Sequence, residues 1–251
     1  STMLITPAHA RRLAFGVAPA CTLRRFSSTA TKASLVETSL CSSGVLTLRF
    51  NNEKKLNAWT MPLMKETFGE LERAASDDSV KGVVITGKGK YYSAGVDLSS
   101  TIRPMAPSKL IELIRDQNEQ VFSTFLNFPK PIVAAVNGPA IGAAMTSTIL
   151  MDGVIASESA TFSVPFAKLG VPPEGCSSVT FAERMGEKAA GRMLGAENWI
   201  PSAREALEVG LIDEVIPGDA DALVERAVDL VRERVDAGGA RRYDAAEHAR
   251  L

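Results

Sequence analysis

Residues 44–51 read Gly-Val-Leu-Thr-Leu-Arg-Phe-Asn, with apolar and polar side chains in near alternation, and that period of two predicts a β-strand. Thr60 then offers a hydroxyl to the free amides of a helix in which Met64, Phe68 and Leu71 recur at helical spacing, running to Ala75. Asp77 and Asp78 mark the turn that follows. Residues 82–86 (Gly-Val-Val-Ile-Thr) are short and nearly all apolar, the pattern of a strand covered on both faces. A long helix is predicted over 108–128, with Leu110, Leu113, Ile114, Gln117, Val121 and Phe125 along one side and Pro129 and Pro131 as its stop. Residues 132–136 (Ile-Val-Ala-Ala-Val) make the next buried strand, 142–150 a helix with a small-residue start, and 153–156 a further strand. Beyond Pro173 the chain turns helical. Residues 202–209 form a helix closed by Gly210, and 220–235 a strongly periodic one with Leu223, Ala227, Leu230 and Val231 inward. Strands alternating with helices predict an α/β architecture.

The chain has 251 residues, enough for one sizeable domain with a buried core and an appended helical piece. Lys and Arg number 28 against 29 Asp and Glu, so no basic excess points to nucleic acid or to an acidic membrane surface. No apolar run is long enough to span a bilayer. The three cysteines, Cys21, Cys41 and Cys176, form no CxxC pair and no even-numbered framework, which disfavours disulfide and zinc readings. The two histidines, His9 and His248, lie in the end segments, which disfavours a histidine-based triad or metal site. The chemistry left to the core is that of carboxylates, backbone amides, lysines and hydroxyls.

Residues 1–36 hold no acidic side chain, and Arg11, Arg12, Arg24 and Arg25 are interleaved with Ser, Thr and Ala. This composition predicts a targeting segment over 1–33 addressed to the mitochondrial matrix; the bland reading is a basic tail with no address. Ala249-Arg250-Leu251 resembles a peroxisomal C-terminal tripeptide, the alternative address. The expected organisation is 1–33 targeting, 34–200 core and 201–251 a C-terminal helical segment.

Several motifs fail. Gly87-Lys88-Gly89 lacks the third glycine of a dinucleotide loop, because Tyr92 stands there, and no phosphate-binding GK[ST] follows. Ser93 lacks the glycine that a nucleophile elbow places two residues before it, and Cys176 has no core histidine to activate it. Two other stretches place small-residue backbone directly after an apolar strand: Tyr91-Tyr92-Ser93-Ala94-Gly95-Val96-Asp97-Leu98 and Asn137-Gly138-Pro139-Ala140-Ile141-Gly142-Ala143-Ala144. Glycine permits close ligand approach, and a helix starting near Gly142 aims free N–H groups outward. The same pattern also suits two tight turns in close helix–strand packing.

These two loops, with the stretch around Glu174, resemble the crotonase (enoyl-CoA hydratase/isomerase) superfamily over residues 36–217. The resemblance implies a crotonase-type ββα spiral core followed by a C-terminal helical segment. It implies an oxyanion hole made by the backbone N–H groups of Val96 and Ala143. It further implies an acyl-CoA site drawing on Lys54, Lys55, Ala58, Ser93, Ala94, Gly95, Asp97, Leu98, Gly142 and Phe166, with the lysines turned to CoA phosphates. The residues by themselves also read as a solvated loop at Lys54 and Lys55. Hydratases of this family use two glutamates, and the corresponding places here hold Thr146 and Phe166. Leu169-Gly170-Val171-Pro172-Pro173-Glu174-Gly175-Cys176-Ser177-Ser178 instead resembles the Δ3,Δ2-enoyl-CoA isomerase branch, whose single catalytic glutamate falls on Glu174. For an isolated glutamate, a helix-start acid favoured by the macrodipole is the plainer reading.

The activity implied is the shift of a 3-enoyl-CoA double bond to the 2-trans position in fatty acid β-oxidation. It needs no metal and no cofactor, CoA being part of the substrate. Phe166 is expected as an apolar wall that raises the proton affinity of Glu174. The partners implied are an acyl-CoA thioester and, by resemblance, sister subunits in a homotrimer or crotonase-type hetero-oligomer. The competing expectations are another crotonase activity such as dienoyl-CoA isomerisation, and a non-catalytic crotonase-fold subunit of a mitochondrial complex.

Overall fold

A computed structural model describes residues 24–25, 34–97 and 106–243. The expected targeting composition, both histidines, Cys21, Leu98 and the C-terminal tripeptide fall wholly or largely outside those residues.

A seven-stranded sheet runs in the order β1 (Arg24–Arg25), β2 (Val36–Leu40), β3 (Val45–Phe50), β4 (Gly82–Gly87), β5 (Ile132–Val136), β7 (Gly153–Ser157) and β9 (Glu214–Ile216). β1–β2 and β2–β3 pair antiparallel, and every later pairing is parallel. Parallel neighbours need crossovers. Here they are α1 (Met61–Ser76), α2 (Pro107–Leu126) and α3 (Ala143–Ile149), then the run α4 (Phe166–Leu169), α5 (Ser177–Leu194) and α6 (Ala203–Glu208). A second, two-stranded parallel sheet joins β6 (Ala140–Ile141) to β8 (Phe162–Ser163), so the chain leaves the main sheet after β5 and again after β7. This is the α/β spiral that the strand–helix alternation and the family resemblance predict.

The main sheet is covered on both faces, which is why its central strands carry almost no polar residue. Leu46, Leu48, Val83, Ile85, Ala134 and Val136 belong to the large core beneath α1, α2, α3 and α5. Val45, Val84, Val133, Ala135 and Ile155 point the opposite way, against Leu223, Ala227 and Val231 of α7 (Ala220–Asp236). Successive side chains alternate between the two cores as a pleated strand requires. The C-terminal segment therefore contributes both a strand, β9, and the helix that seals one face.

Past α7 the chain is tied down by buried charge. Asp152 is fully buried and accepts the amides of Ile132 (2.8 Å) and Arg242 (2.6 Å). Its other partner is the guanidinium of Arg241, 2.7 Å away. That guanidinium also donates to the carbonyls of Phe125, Phe128 and Leu150, groups at or just past the ends of α2 and α3. Asp213 repeats the device beside it, accepting Val154 N–H (2.7 Å) and pairing with Arg184 and Arg242.

Local signals explain most boundaries. Thr60 caps α1 by accepting the Leu63 amide, and Ser202 and Glu205 cap α6 reciprocally. One expectation is corrected in α2. Ile114, expected inward, is 46% exposed, and Ile111 is 68% exposed, whereas Phe122 and Phe125 are buried. Among the described side chains of this helix, those that reach the core lie in its C-terminal half, where the Phe125 ring packs on Trp59 and Phe68. That helix also ends earlier than predicted, at Leu126.

Candidate active site

The first glycine loop is set by a short turn upstream of α1. Residues Glu53–Lys55 form one 3-10 turn, and Leu56 and Asn57 follow with left-handed backbone (φ 52° and 54°). Asn57 is the residue of this pair that tolerates that conformation. Its buried amide repays the turn with three bonds: Oδ1 accepts Asn52 N–H (3.0 Å), and Nδ2 donates to the carbonyls of Lys88 (2.9 Å) and Tyr91 (2.8 Å). Its own carbonyl accepts the Ser93 hydroxyl (2.8 Å), which in turn accepts the Gly95 amide (3.2 Å). Trp59 then pairs with Val96 as a parallel bridge: Trp59 N–H donates to Gly95 O (2.7 Å), and Asp97 N–H donates to Trp59 O (3.1 Å). The bridge uses the groups on either side of Val96 and turns the Val96 N–H the opposite way. Among the described residues that N–H has no acceptor.

The second loop is stitched to the first. Ser93 N–H donates to Pro139 O (3.3 Å), and Ile141 N–H donates back to Ser93 O (3.0 Å). At the crossing Gly95 (φ 82°) packs so closely that a β-carbon on it would lie 2.7 Å from the Ile141 carbonyl. Gly142 (φ 59°, ψ −133°) then turns the chain into α3, whose first amide is that of Ala143. A first-turn amide has no intrahelical acceptor, and none is supplied from elsewhere in the described residues. Val96 and Ala143 thus each follow a glycine at one loop crossing, and each keeps a free N–H.

The carboxylate of Glu174 is brought to this region by an unusual turn. Gly175 and Cys176 are both left-handed (φ 64° and 60°), and α5 starts only at Ser177. A β-carbon on Gly175 would stand 2.5 Å from Thr146 Oγ1 and 2.6 Å from Phe122 Cε1, so the turn is wedged between α3 and α2. Thr146 lies one turn from Ala143 along α3. From α2, Asn118 Nδ2 donates to Glu174 Oε2 (3.1 Å). The same helix meets the segment bridged to the first loop, through Gln117 and Met61 and through the stacked rings of Phe125 and Trp59. Burial pushes the Glu174 carboxyl above its ordinary range, and the Asn118 hydrogen bond partly offsets that rise. The nearby Cys176 thiol is also pushed up by burial, away from thiolate chemistry.

The remaining expected site residues divide. Gly95, Gly142, Ala143 and Phe166 are at the loops or in the core beneath them; Phe166 is buried as the first residue of α4. Ala58 and Ala94 are half-buried, and Ala94 N–H is spent on Leu56 O (3.0 Å). Lys54 and Lys55 are exposed, and Lys55 Nζ pairs with Asp97 Oδ2 at 2.7 Å. Ser93 is 0% exposed, and its hydroxyl is engaged by Asn57 and Gly95 and shapes the loop. A separate surface cavity of about 180 Å³, lined by Glu53, Leu56, Lys88, Lys90 and Tyr91, lies beside the 3-10 turn and includes none of the groups around Glu174.

Sequence reasoning missed Asn118 and Asn57. Asn118 had a readable signal: a polar residue one helical turn before Phe122, inside an otherwise apolar face. Asn57 had one too, since asparagine tolerates the left-handed turn it adopts. Among the described residues no cluster of three or more His, Cys, Asp or Glu could hold a metal, and no helix is long and apolar enough to cross a membrane.

The profile of the family described as Enoyl-CoA hydratase/isomerase matches residues 41–248. Enoyl-CoA delta isomerase 2 of Rattus norvegicus is 41% identical over 179 residues, which is 69% of this chain and 44% of that protein. Enoyl-CoA delta isomerase 3, peroxisomal, of Mus musculus is 39% identical over 175 residues, 69% of this chain and 55% of that protein. The chain therefore spans about half the length of these curated relatives. Among solved structures, an enoyl-CoA hydratase/isomerase from Pseudoalteromonas atlantica T6c superposes with a TM-score of 0.68 at 32% identity, over 80% of this chain and 76% of that one.

Proposed function

The chain belongs to the enoyl-CoA hydratase/isomerase (crotonase) family, and from that premise we propose that it moves the double bond of a 3-enoyl-CoA to give 2-trans-enoyl-CoA. The observation that carries this reading is the half-buried carboxylate of Glu174, held by Asn118 and raised in proton affinity by burial. As carboxylate it takes a proton from C2, the C2–H electron pair moves into a dienolate, and the thioester oxygen gains negative charge. The free amides of Val96 and Ala143 meet that oxygen. Each such preorganised donor lowers the barrier by roughly 3–4 kcal/mol. The C3=C4 bond then takes the proton back from the neutral acid at C4, leaving C2=C3 conjugated with the carbonyl. A carboxyl whose proton affinity lies above the ordinary range serves both halves of that exchange.

Hydration calls for two acids to position and activate water. The places that the family resemblance assigns to them hold Thr146, fully buried, and Phe166, an apolar core residue. Lys54 and Lys55 would meet the CoA phosphates at the mouth, beside Ala58. The acid-free, arginine-bearing composition of 1–36 supports a mitochondrial matrix address. The test is to give the purified protein 3-hexenoyl-CoA and 2-hexenoyl-CoA in parallel. The expected result is growth of conjugated thioester absorbance from the first and no bleaching of the second. Bleaching of the second without growth from the first would replace isomerisation by hydration.

A further inference from the structure

We propose that Thr146 is the spacer that sets how far the Glu174 carboxylate stands from the Ala143 amide, and that its γ position must hold an atom of oxygen size. This rests on the isomerase reading above and names a positioning residue for it. Thr146 is fully buried, three residues after Ala143 on α3, so the two lie about 4.5 Å apart along the helix axis. Its hydroxyl donates to the Ala143 carbonyl (3.2 Å), fixing the side chain in one rotamer over the first turn. The same oxygen lies against Gly175, where an added β-carbon would stand 2.5 Å from it.

The same β-carbon would stand 2.6 Å from Phe122 Cε1, so Gly175 packs against both Thr146 and Phe122. Gly175 Cα therefore lies within about 4 Å of both atoms, and Glu174 is one peptide away, with Cα atoms about 3.8 Å apart. Whatever sits at the γ position of residue 146 therefore passes its size directly to Glu174. An oxygen satisfies the slot. A methyl carbon needs contacts of about 3.5–4.0 Å to neighbouring carbons and so pushes the turn outward. No atom at all leaves the turn free to sink toward α3.

The experiment compares Thr146→Ser, Thr146→Ala and Thr146→Val on 3-hexenoyl-CoA, reading kcat and KM separately, with thermal unfolding of each. Thr146→Ser keeps kcat within about threefold of the parent, whereas Thr146→Ala and Thr146→Val lose about 10–100-fold in kcat with KM within about threefold, the scale of an ångström-sized misplacement. Parental kcat in Thr146→Ala, or a loss in Thr146→Ser equal to that in Thr146→Ala, would overturn the spacer. If Thr146→Val fails to fold, the Ser and Ala pair decides. If the parent itself does not isomerise, the functional reading falls, and the spacer is then judged from crystal structures. The Asn118–Glu174 hydrogen bond, 3.1 Å in the parent, should persist in Thr146→Ser and be lost in Thr146→Ala. An unmoved Glu174 in Thr146→Ala would sink the proposal.

Discussion

Replacing Asn118 by leucine tests how the site tunes its base. In the parent, two effects oppose each other at Glu174: burial favours the neutral acid, and the Asn118 N–H, 3.1 Å from Oε2, favours the carboxylate. Asn118→Leu removes the second and strengthens the first, so both changes push toward the neutral acid. A hydrogen bond to a charged acceptor is worth roughly 1.5–3 kcal/mol, and the lower end applies because both side chains are only partly buried, which gives a factor of about 10 in the ionisation equilibrium. In the proposed reaction Glu174 acts as carboxylate, so the rising limb of kcat/KM against pH moves to higher pH in the variant. On the acid side of both limbs the variant is about tenfold slower at every pH; on the alkaline side, where both are ionised, the curves approach each other. The assay is kcat/KM for 3-hexenoyl-CoA from acid to alkaline pH. Superimposed limbs, or a variant limb displaced to lower pH, would refute the reasoning.

Other outcomes follow from the same geometry. Because the folded-state proton affinity of Glu174 is raised, its stabilising protonation is present below the unfolded value of about 4.5 and lost as pH rises through the folded value. Glu174→Gln should therefore raise Tm at neutral pH and leave it unchanged well below 4.5; a gain that is the same at both would show that charge burial is not its source. Gly175→Ala combines a left-handed backbone, at ~1–2 kcal/mol, with overpacking against Thr146 and Phe122, at ~1–3 kcal/mol, and denaturant titration should show roughly their sum. Arg241→Met leaves Asp152 charged and unpaired in the interior, and should cost about 3–5 kcal/mol by the same titration.

The fold was legible because its central strands are buried on both faces. Residues 82–86 and 132–136 have nowhere to place a polar side chain, and that requirement writes itself into the sequence as an apolar run. Caps were legible for a similar reason: Thr60 and Ser202 satisfy amides within three residues of themselves. The buried stripe of α2 was not legible, since which half of a long amphipathic helix meets the core depends on where α1 carries Phe68 and the loop carries Trp59. At the candidate site, the loop glycines and the Pro-Glu-Gly-Cys string were readable as segments. The roles inside them were less visible. Ser93 has the chemistry of a ligand group and the surroundings of a core residue. Asn118 acquires its part only when α2 lies across the turn that carries Glu174, fifty-six residues away in the chain.

The central claim is that one carboxylate carries the proton, and the direct measurement is turnover of 3-hexenoyl-CoA by the parent and by Glu174→Gln at a pH where the parent is fully active. The account predicts a fall in kcat of about 10²–10⁴-fold with KM little changed, since the amide keeps the shape and the Asn118 contact but cannot exchange a proton. Equal turnover by the two proteins would contradict it.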